Sequence, residues 1–390
     1  MPYLNECGIV CPLGDTHDAI RARLFEDAES GVRPTGVWSA SILPLGCVET
    51  PLREMEDWPL AYRSRNNRMA LTALAQIRPA VDTAIARYGA HRVGVVVGTS
   101  TSGIAGTEAA LRRRAAEGVL PDSFHYEQQE MGSPAAMLAA ALGAGGPAYV
   151  HSSACASSAK AMASAARLID MGLCDAVLTG GVDTLCAFTV AGFSALESVS
   201  AARCNPLSVN RKGINIGEGA ALFLMSREPS AVALCGWGES SDGHHMSAPD
   251  PSGNGARLAI AQALQRAGIT AADIDYINLH GTATVQNDAM ESRVIHDLFG
   301  AGVPVSSTKP FTGHALGAAA AIEAALCWLA MQDDAGRLPP HLWDGVVDPA
   351  LPALHVAAPG AALGRPLRWA LSNSFAFGGA NATLVLGRRA

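Results

Sequence analysis

Short apolar runs alternate along this chain with longer stretches in which apolar residues recur at helical spacing. Runs rich in Val, Ile and Leu predict strands at Arg92–Val97, Ala176–Thr179, Ala220–Met225, Val232–Trp237, Ile274–Leu279, Trp369–Asn373 and Asn381–Leu386. Helical periodicity predicts helices at Asn67–Arg87, Gly103–Glu117, Pro134–Leu142, Cys155–Met171, Gly255–Ala267, Asp288–Phe299 and Ala315–Met331. Strand following helix throughout implies an α/β fold with a mainly parallel sheet covered on both faces. Gly and Pro gather at Met246–Gly255 and Gly336–Asp348, which read as surface loops. A faint internal repeat appears too. Gly217–Met225 and Gly378–Leu386 are both glycine-led and both close as apolar strands. Two related halves, residues 1–230 and 231–390, would bring the starts of two Ala-rich helices, at Cys155 and after His314, to one central site.

Composition narrows the class. At 390 residues, 49% apolar and 16% charged, the chain suits a well-buried α/β protein. A net charge of −7 argues against general nucleic-acid binding, while leaving room for a small basic docking patch. The nine cysteines form no CxxC pair, so reduced thiols in a cytoplasmic enzyme are expected, with no metal centre. The first residues lack a basic region followed by an apolar stretch, and no signal peptide is read there. Ala315–Met331 is very apolar but opens beside His314 and carries Glu323, so it reads as a buried core helix rather than a membrane span. Neither GxGxxG nor GxxxxGK[ST] occurs, so the glycines serve turns and close packing rather than nucleotide phosphates.

The candidate chemistry centres on Cys155, placed after a strand-like segment and at the head of a helical run. A thiol at a helix start faces unpaired N–H groups and the positive end of the dipole, which predicts a stabilised thiolate. His280 closes a strand and opens into a glycine-containing loop, the position from which α/β folds build active-site crevices. His314 stands at a helix start, where a neutral ring that donates an N–H is expected. Lys309 precedes it, and Ser372–Gly379 offers backbone donors and a mobile aromatic. Taken singly, each is more simply a structural thiol, a satisfied histidine or a surface charge; together they point to acyl transfer. His244-His245 lacks a third ligand at metal-site spacing and reads as loop. Asn287, Asp288 and Glu291 follow His280 at helical spacing and read as helix capping before acid/base chemistry.

These blocks, in order from Val93–Thr99 to Ala382–Val385, resemble the elongating β-ketoacyl-acyl-carrier-protein synthases of the thiolase-fold condensing enzymes. The resemblance implies a thiolase-like α/β/α/β/α layered fold of two related halves. It implies that Cys155 accepts the acyl chain as a thioester and that His280 and His314 donate to the malonyl thioester carbonyl. It also implies that Lys309 orients the site with Glu323, and that the N–H groups of Cys155 and Phe377 form an oxyanion hole, with Phe377 as gate. Thr282 and Thr284 match positions that bond the phosphopantetheine arm of an acyl carrier protein, Thr101 an acyl-pocket position, and Arg63, Arg65, Arg68 and Arg203 carrier-docking positions. No bound cofactor is implied; the phosphopantetheine arrives with the carrier. A dimer is implied, either homodimer or heterodimer with a related ketosynthase-like subunit, with Tyr126–Pro134 near the partner's pocket. The implied reaction is a decarboxylative Claisen condensation in fatty-acid or polyketide biosynthesis, and the short, Ala-rich form and the Arg63–Arg68 block resemble ketosynthases of bacterial aryl-polyene or type II polyketide pathways. A non-catalytic chain-length partner would lack the nucleophile. A thiolase would carry a second reactive Cys in the C-terminal glycine loop, and an initiating synthase an Asn in place of His314. The sequence departs from the family pattern at Ser153, Val285, Ala376 and Ala380. Ala in place of Gly at 376 removes positive-φ freedom from the gate loop.

Overall fold

The computed structural model describes residues 1–389. Its strands are β1 (Tyr3–Val10), β2 (Val32–Thr35), β3 (Leu43–Gly46), β4 (Val93–Gly98), β5 (Ala148–His151), β6 (Ala176–Asp183), β7 (Gly219–Ser226), β8 (Val232–Ser241), β9 (Tyr276–Asn278), β10 (Pro304–Ser306), β11 (His355–Val356), β12 (Trp369–Phe375) and β13 (Ala380–Arg388). Its helices are α1 (His17–Arg21), α2 (Arg65–Tyr88), α3 (Ile104–Glu117), α4 (Ser133–Leu142), α5 (Ser157–Asp170), α6 (Ala187–Ala195), α7 (Asn254–Ala267), α8 (Val285–Phe299), α9 (Lys309–Thr312) and α10 (Ala319–Ala330).

Two five-strand sets have the same order. One runs β1-β7-β6-β4-β5 and the other β8-β13-β12-β9-β10, with β11 added at the far edge. They touch through β1 and β8, where Tyr3 pairs with Ala233. Strand directions match as well. In the first set β5, β4 and β6 are parallel while β7 and β1 alternate; in the second, β10, β9 and β12 are parallel while β13 and β8 alternate. The faint sequence repeat therefore lies on equivalent strands, β7 and β13. The sheet is mixed rather than mainly parallel. A few residues join β12 to β13, too few for a crossover, so that pair must be a hairpin.

Five layers result. Helices α2 and α4 cover one sheet, α7 covers the other, and α5 and α10 lie between them. Every residue of α10 is buried, and its Ala-rich sequence lets two sheets approach it. The segment read as a buried core helix is thus the centre of the core, preceded by a 3₁₀ turn at Leu316–Ala318. Among the described residues, no helix is long and apolar enough to cross a membrane. Helix α5 begins at Ser157, two residues beyond Cys155, so the thiol precedes the helix rather than occupying its first turn. The layered thiolase-like architecture of two related halves is the one the resemblance implied.

Candidate active site

Cys155 is set by a strained turn between β5 and α5. Ala154 has φ +47°, a left-handed conformation that an L-residue adopts only under constraint. The Ser157 hydroxyl supplies part of that constraint: it accepts from the Ser153 N–H (2.8 Å) and donates to the Ala154 carbonyl (2.6 Å). The helix start can approach the sheet because β4 and β6 present glycines beneath it. A Cβ on Gly98 would lie 2.3 Å from the Ser158 nitrogen, and one on Gly181 would lie 2.6 Å from the Ser158 Cβ. The sulfur is thereby held at the C-terminal edge of the parallel strands, with Cys155 4% exposed.

The other half delivers the imidazoles. His280 follows β9, and its backbone N–H and that of Gly281 both donate to the Glu291 carboxylate (2.8 Å each). His314 is pinned by the 215–217 segment, its N–H bonded to the Asn215 carbonyl (2.6 Å) and its carbonyl to the Gly217 N–H (2.9 Å). These anchors bring His314 Nε2 to 3.0 Å from Cys155 Sγ. The two rings pack edge to face with centroids 5.5 Å apart. The sulfur and one nitrogen from each ring lie within 4.8 Å of one another. Such a triplet could also ligate a soft divalent ion, but the thiol would first have to release its proton. Lys309, 1% exposed, is bonded through Nζ to Glu323 on α10. Ser307 links the two loops, since its hydroxyl donates to the Gly281 carbonyl (2.7 Å).

Electrostatics correct one expectation. Burial pushes the Cys155 thiol up to about 11, outweighing the Lys309 charge and the N–H groups of Phe377 and Cys155 itself, which favour the thiolate. The resting sulfur is a thiol. Both rings are pushed well below the usual histidine range, by burial first and the Lys309 cation second, with His314 adding to the effect on His280. The expected neutral imidazole at 314 is found, but burial is its cause rather than a helix end. Burial also raises the Glu323 carboxyl, and Lys309 opposes that. A buried thiol beside a neutral imidazole can pass its proton to that ring during attack on a carbonyl, and two neutral rings can donate N–H to a developing oxyanion.

A cleft of about 540 Å³, mouth included, leads to these groups. Thr282 and Thr284 line it, their hydroxyls bonded to each other at 2.9 Å. Phe377 and Phe193 also line it, with ring centroids 5.5 Å apart. Ala376 also lines the cleft, and its φ of −90° is accessible to any residue, so alanine imposes no strain in this conformation. The positive φ values of the turn fall on Gly378 and Gly379, at +79° and +75°. Asp242 ties this loop to the next one. Its N–H donates to the Gly379 carbonyl, and its carboxylate accepts from Asn381 Nδ2 (2.6 Å) and the Asp250 N–H (2.9 Å).

Other sequence candidates sit elsewhere or act differently. Thr101 is buried outside the cleft lining, with its hydroxyl donating to Asp183 (2.9 Å). Arg65 turns inward onto buried Glu218 (2.5 Å), and Arg68 pairs with Glu54 (2.5 Å), so neither guanidinium is free. Arg63 and Arg203 are exposed. Asp288 and Glu291 do not cap α8, whose N-cap Thr284 makes no side-chain bond to the helix's own N–H groups. They hold the preceding loop instead, Asp288 accepting from Ala283 (3.2 Å) and Leu207 (2.8 Å). His244 and His245 are exposed loop residues, as expected. Sequence reading missed Asp183 and Asp242. Each is a lone acid beside a strand end, and nothing along the chain marks such a residue as a hub.

Comparison with known proteins places the chain in context. Residues 64–231 match the family described as beta-ketoacyl synthase, N-terminal domain, and residues 232–342 match beta-ketoacyl synthase, C-terminal domain. The 3-oxoacyl-[acyl-carrier-protein] synthase 2 of Rhizobium meliloti (strain 1021) is 31% identical, with 98% of this chain and 97% of the relative covered. Nodulation protein E of Rhizobium sp. (strain N33) is 33% identical, over 97% and 96%. Among solved structures, a chain from the complex of the ketosynthase ApeO with its chain length factor ApeC, from Xenorhabdus doucetiae, superposes with a TM-score of 0.93. It is 45% identical, with 100% of this chain and 98% of that one covered.

Proposed function

Because this chain belongs to the β-ketoacyl synthase family, we propose that it is a catalytically competent member that condenses an acyl chain with malonyl carried on acyl carrier protein. The 3.0 Å contact between the Cys155 sulfur and His314 Nε2 carries this reading.

In the first half-reaction the Cys155 sulfur attacks the carbonyl carbon of an acyl thioester as its proton moves to His314. The N–H groups of Cys155 and Phe377 take up the charge on the tetrahedral oxygen. The carbon–sulfur bond to the carrier breaks, and the proton leaves with the carrier thiol. In the second half-reaction His314, having given up the Cys155 proton, takes the tautomer that carries its proton on Nε2, and both neutral rings, His280 and His314, donate to the malonyl thioester oxygen. Loss of CO₂ places negative charge on that oxygen, so the two donors act most strongly in the transition state. The resulting carbanion attacks the Cys155 thioester carbonyl, the carbon–sulfur bond to Cys155 breaks, and the released thiolate takes up one proton from water. Burial keeps both rings neutral, and the charge of Lys309, held by Glu323, adds to it. Thr282 and Thr284 line the path of the phosphopantetheine arm.

Carrier docking falls to the exposed Arg63 and Arg203, with a second, ketosynthase-like subunit completing the assembly. The 45% identity to a chain of a ketosynthase–chain length factor complex exceeds the 31% to a synthase 2. This favours a polyketide setting, of which the aryl-polyene type is the finer reading, over primary fatty-acid elongation. The same likeness motivates a second reading, a non-catalytic chain-length partner. The retained Cys155, His280, His314 and Lys309 weigh against it.

Incubating the purified chain with acyl- and malonyl-carrier proteins and following β-ketoacyl product by mass separates the two. Condensation that disappears in Cys155→Ala is expected. Product from Cys155→Ala at the wild-type rate contradicts the nucleophile. No product from the wild-type chain alone, with product appearing beside a catalytic ketosynthase subunit and persisting in Cys155→Ala, favours the non-catalytic reading.

A further inference from the structure

The first turn of α8 forms one wall of the cleft, and Asn287 lies in it, 5% exposed. Its amide has a fixed orientation. Nδ2 faces two buried carboxylates, Asp288 Oδ1 and Glu291 Oε2, each at 3.3 Å. Turning the amide over would set its oxygen against both acids. Those acids are themselves locked by the backbone N–H groups of Leu207, Ala283, His280 and Gly281. Asn287 Oδ1 is left buried with no donor. Among the described residues lining the cleft, the other buried side-chain nitrogens and oxygens without a partner are Nδ1 of His280 and of His314. Those two belong to the reacting end, whereas Asn287 shares its wall with Thr282 and Thr284.

A buried amide oxygen without a donor is unfavourable, and a rigid one specifies what can relieve it. Oδ1 accepts only, so its partner must bring an N–H or O–H. The neighbouring hydroxyls of Thr282 and Thr284 now bond only each other and can donate to a carbonyl. An acceptor beside such donors is complementary to a secondary amide. We propose that Asn287 is a substrate-binding residue whose Oδ1 accepts the N–H of the amide nearest the thioester in the carrier's pantetheine arm. This rests on the reading of the cleft as the path of a carrier-borne thioester.

The test uses two thioesters of one acyl group: the N-acetylcysteamine thioester, which has the amide, and the 2-acetoxyethyl thioester, in which an ester oxygen replaces the N–H. Rates of Cys155 acylation are measured by intact mass for wild type and Asn287→Leu, with Asn287→Gly as a second variant. Wild type is expected to favour the amide by about 10-fold, and both variants to lose that preference. A variant that merely disturbs the His280 loop slows both thioesters alike and keeps the ratio, which overturns the proposal. Equal rates in wild type overturn it without any variant. Acylation of Cys155 by neither small thioester overturns this inference, and absence of acylation by the acyl-carrier thioester as well removes the functional reading itself.

Discussion

Two loops occupy matching places in the two sheets, one after β4 and one after β9. Each is gathered by a buried carboxylate from a neighbouring element. After β4, Asp183 accepts from the hydroxyls of Thr99, Ser100 and Thr101, from the backbone of Ser100 and Thr101, and from the Gly317 N–H. After β9, Glu291 accepts from the backbone of His280 and Gly281 and from Asn373 Nδ2. The first loop spends its side chains on the acid that holds it. The second gives the acid its backbone and leaves the imidazole free. The same scaffold position is thus structural in one half and available for chemistry in the other, and the unpartnered atoms mark the difference.

The contrast breaks most readily at the side chains. His280→Ala should slow malonyl decarboxylation by about 10²-fold or more, whereas Thr99→Ala should leave it within a few-fold. Comparable losses in CO₂ release would erase the distinction between the loops. The two acids should separate next. Asp183→Asn, which turns a donor toward donors, should cost about 2 kcal/mol or more in urea unfolding. Glu291→Gln should mainly lower kcat by shifting His280.

Glu291 adds a pH signature. Burial raises its carboxyl to about 7, above the ordinary glutamate range. The folded state then holds a proton that the unfolded state has released, so this group's contribution to stability is present below the ordinary range and lost as pH rises toward 7. Wild-type stability relative to Glu291→Gln should therefore fall over that interval; a flat difference would show an unperturbed acid. For Cys155, iodoacetamide labelling followed by mass should keep climbing with pH beyond 9 toward about 11. A plateau by pH 8 would mean a resting thiolate. The smallest effect concerns strain. Ala154 and Ala283 have φ of +47° and +63°, so glycine at either position should raise stability by about 1 kcal/mol or less in thermal unfolding.

Much of this was legible along the chain. Strong periodicity located the central strands and helices, and the ordered blocks around Cys155, His280, Lys309 and His314 named residues that the fold brings together. β1 and α6 were not read. In β1, Asn5 and Glu6 interrupt the apolar alternation of a strand paired on both sides by antiparallel neighbours. In α6, Ala187–Ala195 is mostly apolar, and Thr189 and Ser194 are too few to give it a polar face with a helical period. The state of the sulfur was not legible either. A helix start predicts a thiolate only if water remains, and how much water remains depends on packing from segments hundreds of residues apart. The pairing within the arginine cluster was hidden for a similar reason. Spacing places Arg65 and Arg68 near the surface, but only the fold brings buried Glu218 onto Arg65.

The central claim, that Cys155 takes up an acyl group from a carrier thioester, is tested most directly by intact-mass analysis of the protein after exposure to acyl-carrier thioesters, with peptide mapping of any adduct. The account predicts a single acyl increment on the Cys155 peptide that is discharged by malonyl-carrier protein. An unmodified chain, or an adduct on another cysteine that persists in Cys155→Ala, would contradict it.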